Sequence, residues 1–125
     1  MFELTINDVV YPFKFGVGFV REINKRVTRE VEGMSSKQEI GLQMAVAGLM
    51  DEDPIALVDI LDIANKTEKP RVTRNALDSY IEDESTDIEA LFKEVLDFLK
   101  TANATKKMVA NILKVVEAEM EKAAL

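Results

Sequence analysis

Apolar side chains alternate through Phe2, Leu4 and Ile6, then through Val9, Tyr11 and Phe13, with only Asn7-Asp8 between the two runs. A period of two, broken by two turn-forming residues, specifies a β-hairpin with one buried face. The register pairs Ile6 with Val9, Leu4 with Tyr11 and Phe2 with Phe13, because a slip of one residue would turn one strand's apolar set to water. Pro12 then falls opposite Glu3 at a non-hydrogen-bonded pair, where its missing N–H costs the hairpin nothing and blunts the outer edge. The hairpin is expected over residues 2–15.

From Val17 the period changes. Val20, Ile23, Val27 and Val31 recur at helical spacing, while Arg21, Lys25 and Arg29 line another face at i, i+4 and i+8. A helix is expected over about 17–31, with Glu22, Arg26 and Glu30 as alternating i,i+4 ion pairs and Gly33 as its terminator. A second helix is expected over about 36–50. The stretch MDEDPIALVDILDIAN starts a third, over 54–65, with Asp53 as N-cap and Pro54 at its first position. Ile55, Leu57, Val58, Ile60, Leu61 and Ile63 wrap most of its circumference, so it should be the most buried helix.

NKTEKPRV reads as a loop, Thr73 as the cap of a helix over 74–83, and Thr86 with Glu89 as a capping box for a helix over 87–101. That helix carries the stripe Ile88, Leu91, Phe92, Val95, Leu96 and Leu99. TANAT breaks the pattern, and a last helix over 105–123 presents Met108, Val109, Ile112, Leu113, Val116 and Met120. With no repeat and no long linker, residues 1–125 are expected to form one α+β domain, a hairpin followed by about six helices and mainly helical.

Composition narrows the chemistry. The chain has neither cysteine nor histidine, so it lacks a thiolate nucleophile, a disulfide framework and the usual general base. The net charge of -7 is placed unevenly: segments 1–32, 33–70, 71–100 and 101–125 carry 0, -4, -4 and +1. An acidic middle repels phosphate backbones, which argues against nucleic acid as a partner and for a basic or neutral protein surface. MFELTINDV lacks the features of a secretory leader, and no apolar run approaches the roughly 20 residues of a membrane span, so a cytosolic protein is expected and no membrane partner.

Three local patterns resemble known sites and fail on detail. Gly16-Val17-Gly18 has Arg21 where a dinucleotide fingerprint needs its third glycine, and the strand before it belongs to a hairpin. These glycines are expected to let the helix pack tightly against the hairpin. Asp83, Ser85, Asp87 and Glu94 occupy positions 1, 3, 5 and 12 of a calcium loop, yet position 6 is Ile88 where glycine is required. Asp78-Ser79 is similar to the Asp-Ser of acyl carrier proteins, but Ser79 lies nearly two turns inside a helix. No catalytic residue, metal site or cofactor is assigned, and the chain is not expected to be an enzyme.

Two faces remain. The stripe Arg21, Lys25 and Arg29 is either a solvated face or a contact for an acidic partner or for the acidic middle of another copy. The last helix's stripe, Met108, Val109, Ile112, Leu113, Val116 and Met120, is either core or a docking surface, to which flexible methionines are suited.

FKFGVGFVREINKR, MDEDPIALVDILDIAN and RVTRNALDSYIEDESTDIEALFKEVLDFLKTANATKKMV, taken in order, resemble the tail assembly chaperone family of long, non-contractile-tailed phages of Gram-positive hosts. The resemblance implies a stoichiometric, non-enzymatic role in the host cytoplasm. Copies would coat the tape measure protein, help deliver major tail (tube) protein around it, associate with one another, and be absent from the mature virion. Family members are often also made as a longer, frameshifted product. The alternative is a small acidic inhibitor mimicking DNA to bind a host factor; its acids should then be dense and one-sided, whereas here they are interleaved with 16 basic residues.

Overall fold

The computed structural model describes residues 2–33 and 35–124; the 1–125 extent also takes in Met1, Met34 and Leu125, which lie outside the described residues. Strands β1 (Phe2–Ile6) and β2 (Val9–Phe13) form the expected antiparallel hairpin, with Phe2 opposite Phe13, Glu3 opposite Pro12, Leu4 opposite Tyr11 and Ile6 opposite Val9. Asn7 and Asp8 both take positive φ, 52° and 65°, the geometry that lets a two-residue turn follow the strands' twist. Phe2, Leu4, Ile6 and Phe13 are buried, Tyr11 is half-buried and Val9, beside the turn, is exposed.

Among the described residues six helices follow: α1 (Val17–Lys25), α2 (Gly41–Met50), α3 (Pro54–Asn65), α4 (Arg74–Glu82), α5 (Ile88–Thr101) and α6 (Lys106–Ala124). The fold is α+β and mainly helical. Among the described residues no helix is long and apolar enough to cross a membrane.

The first two helices depart from expectation. α1 ends at Lys25, not near 31, and α2 begins at Gly41, not near 36. Between them, strands β3 (Thr28–Arg29) and β4 (Gln38–Glu39) pair in a short antiparallel ribbon. The physical reason is that a spacing of four, Val27 to Val31, satisfies a period of two as well as one of 3.6. β-branched Val27, Thr28 and Val31 tip the choice toward extended chain. The ribbon's base is closed where the Ile40 N–H meets the Val27 carbonyl at 2.8 Å.

The expected i,i+4 ion pairs are therefore replaced by long-range ones, Glu22 with Lys66 at 3.5 Å and Arg26 with Asp59 at 3.4 Å. The tight glycine contacts also lie elsewhere than at Gly16 and Gly18. A Cβ on Gly18 would meet nothing within 4 Å, and one on Gly16 only the flexible Lys14 side chain. A Cβ on Gly41 would overlap the Ile23 carbonyl, and one on Gly48 would come within 2.5 Å of the Ala56 side chain. These glycines let α2 start against the end of α1 and lie close along α3.

α3 is the central helix, packing against α1, α2, α4 and β2 and burying Leu57, Val58, Ile60, Leu61, Ile63 and Ala64. Its Asp53 cap accepts from the Ile55 N–H at 2.9 Å, as its sequence specifies. α5 is capped differently from expectation. Asp87 Oδ1 accepts from the Ala90 N–H, while the Thr86 hydroxyl donates to the Tyr80 carbonyl at 2.6 Å and tethers α4 to the turn. Leu91, Phe92, Val95 and Leu99 of α5 are buried, and Phe98 stacks edge-on to Phe2 with centroids 5.0 Å apart.

Candidate functional site

α6 is set by its first turn. The Thr105 hydroxyl, fully buried, donates to the Leu99 carbonyl at 2.6 Å and fixes the angle at which the helix leaves α5. Its base packs on α5 and α2. Along the expected stripe, cover falls away steadily. Val109 is fully buried, Ile112, Leu113 and Val116 are half-buried, and Met120 is 62% exposed. Among the described residues, the face that docks α6 onto the body thus runs on past the body uncovered.

Val109 belongs to the core and is not part of an exposed surface, whereas the apolar surface open to another molecule begins near Leu113 and includes Val116 and Met120. Met108, 39% exposed, lies beside this stripe rather than within it, one edge further from the core. Val115, 49% exposed, shares that outer edge.

Arg21, Lys25 and Arg29 do not form one face. Arg21 and Lys25 are exposed on α1, but Arg29 sits on β3, where its guanidinium donates to Gln38 Oε1 at 2.8 Å. None of the three has a carboxylate partner among the described residues. The arginines that meet acid are Arg26, Arg71 and Arg74, gathered on Asp59 and Asp62 of α3. Arg71 reaches Asp62 at 2.9 Å, and Arg74 reaches Asp59 at 2.8 Å and Asp62 at 3.4 Å. These pairs are partly solvated, so each is worth under about 1 kcal/mol, and together they orient the chain between α3 and α4.

Among the described residues no cluster of three or more acidic side chains is placed to hold a metal ion. In the calcium-like stretch, Ser85 donates its hydroxyl and its N–H to Asp83 Oδ1, at 2.7 and 2.9 Å, and holds that carboxyl below the usual carboxylate range. Asp87 is occupied as a cap.

One surface had no counterpart in the sequence reading. The end of α1, α2 and the start of α3 enclose a shallow groove of about 170 Å³. Its rim carries Val27, Met44 and Ile55, which are 37%, 50% and 69% exposed, and its floor includes Gly48 and Ala56. The available signal was in α3 itself: a 12-residue helix apolar on nearly every side cannot hide all of its sides in so small a body.

A family model described as phage tail assembly chaperone protein, TAC, matches residues 3–114 of the chain. No curated protein and no solved structure is similar enough to count as a match.

Proposed function

The chain belongs to the phage tail assembly chaperone family, and from that premise we propose that it binds the tape measure protein, keeps it soluble and helps recruit tail tube subunits during tail morphogenesis. It acts in the host cytoplasm, without catalysis, and does not remain in the mature virion. The observation that carries this reading is the overhang of α6, where Val116 and Met120 continue the docking stripe beyond the body. A long helical client exposes apolar side chains of the same kind. Covering them returns about 25 cal/mol per Å² of apolar area, a modest gain per copy that multiplies when many copies bind one client. Methionine at the outer end adapts to varied side chains along such a client.

The test is co-expression of the tape measure protein with the wild-type chain or with Val116→Asp/Met120→Asp. These positions suit the test better than Ile112 and Leu113, whose half-buried side chains pack against the core. Loss of soluble tape measure protein with the variant is expected. Unchanged client solubility, with a variant whose circular dichroism and melting match wild type, would overturn the assignment of this surface.

A further inference from the structure

The two outer edges of the hairpin are not alike, and we propose that the edge of β1 accepts an extended, basic segment of another protein as a third strand. The two-residue turn makes Ile6 and Val9 a hydrogen-bonded pair, so Glu3 and Thr5 fall in non-hydrogen-bonded pairs and turn their N–H and C=O groups away from β2. Those groups have no other backbone partner among the described residues. On β2, Pro12 has no N–H to offer and its carbonyl accepts from Asn65, which leaves only Val10 free along that edge. β1 is therefore the edge with room for a ladder.

What flanks that edge sets the chemistry of the segment. Phe2 and Glu3 point to opposite faces of the strand, so the hollow of about 460 Å³ that touches both lies at the strand's margin. Its other walls are Glu94, Asp97 and Phe98, which share one face of α5 at i, i+3 and i+4. Phe98 is 36% exposed, and Glu3, Glu94 and Asp97 are exposed. None of these three carboxylates has a cationic partner among the described residues. A lysine or arginine on the incoming strand can lay its methylene stem on the Phe98 ring and end among the carboxylates. Main-chain bonds to Glu3 and Thr5 then set the register, and the cation sets the selectivity.

A second copy of this chain is the wrong occupant. Pairing β1 with β1 brings two sets of three carboxylates together along one short ladder, on molecules that each carry a net charge of -7. The same acids keep like copies off an open edge and admit a strand of opposite charge. The segment must also be extended, since a helix spends its N–H and C=O groups internally and cannot complete a ladder. None of the α6 residues takes part, so this edge and the α6 overhang are tested separately.

The experiment titrates isotopically labelled full-length chain, followed by nuclear magnetic resonance, with acetyl-Thr-Val-Lys-Val-Lys-Val-Thr-amide and with the same peptide carrying glutamate for lysine. The lysine peptide should shift the Glu3 and Thr5 amide signals and slow their hydrogen exchange, binding about tenfold or more tighter than the glutamate peptide. Thr5→Pro removes an outward N–H without touching the β1–β2 ladder and should abolish the effect. Glu94→Lys/Asp97→Lys, at exposed positions, should melt like wild type and reverse the preference in favour of the glutamate peptide. Still Glu3 and Thr5 signals, equal response to both peptides, full binding by a folded Thr5→Pro chain, or an unchanged preference in the charge-swapped variant would each overturn the inference. So would Glu3 and Thr5 signals that already move with protein concentration alone, because a second copy would then hold the edge.

Discussion

Asn65 ties the hairpin, the end of α3 and the loop after it together through one side-chain amide. It is fully buried at the end of α3. Its amide nitrogen donates to the carbonyls of Pro12 at 2.9 Å and Pro70 at 3.1 Å, and its oxygen accepts from the Val72 N–H at 2.7 Å and from Arg71 at 2.9 Å. Only a side-chain amide offers donors and an acceptor in that arrangement. Asn65→Ala takes this partner from the Pro12 and Pro70 carbonyls and from the Val72 N–H, while Arg71 keeps Asp62, and a loss of about 3 kcal/mol in urea unfolding is expected. Asn65→Asp should recover little of it, because a carboxylate cannot donate to the two proline carbonyls. In the sequence this residue opens NKTEKPRV and looks like any loop asparagine. Its first partner is 53 residues away in the hairpin, a separation that no local pattern reports.

At the scale of elements, the decisive glycines are those set by helix packing. Gly41 sits where α2 meets the Ile23 carbonyl, and the Asn24 side chain caps the same point by accepting from the Leu42 N–H at 2.9 Å. Gly41→Ala must push two helices apart and is expected to cost about 1–3 kcal/mol, seen as a lowered melting temperature. Gly18→Ala, in the first turn of α1 with open space around it, should raise stability by about 0.4–1 kcal/mol. The opposite ranking would mean that the α1–hairpin joint is the tight one after all. The hairpin and α3 were legible in sequence because period and turn or cap residues agree there, and the stripe of α5 was legible from its period alone, its cap being Asp87 and not Thr86. The end of α1 and the start of α2 were not, since valines four apart serve either period and the deciding contact, Val27 with Ile40, closes only after the chain has turned back on itself.

For the whole molecule, the core is complete before α6 ends. Val109 is the last fully buried side chain, and beyond Lys114 only Val116 is even half covered among the residues whose side chains are described. Removing residues 115–125 should therefore lower the melting temperature by no more than a few degrees while abolishing solubilisation of the tape measure protein. A collapse of the fold on truncation would show that the overhang belongs to the body. The stripe itself was visible in sequence, but its division into a buried base and an open end was not, because that depends on where α5 and α2 stop. The β3–β4 ribbon has a different standing. Its two stems leave and rejoin the body at one point, pinned by Val27 with Ile40 and by Gly41 on Ile23. Chain length at its tip is thereby decoupled from everything else, and each doubling of that excursion adds only about 0.6 kcal/mol of closure entropy. Here the molecule has a finger that can be lengthened, shortened or rewritten while the palm keeps its shape.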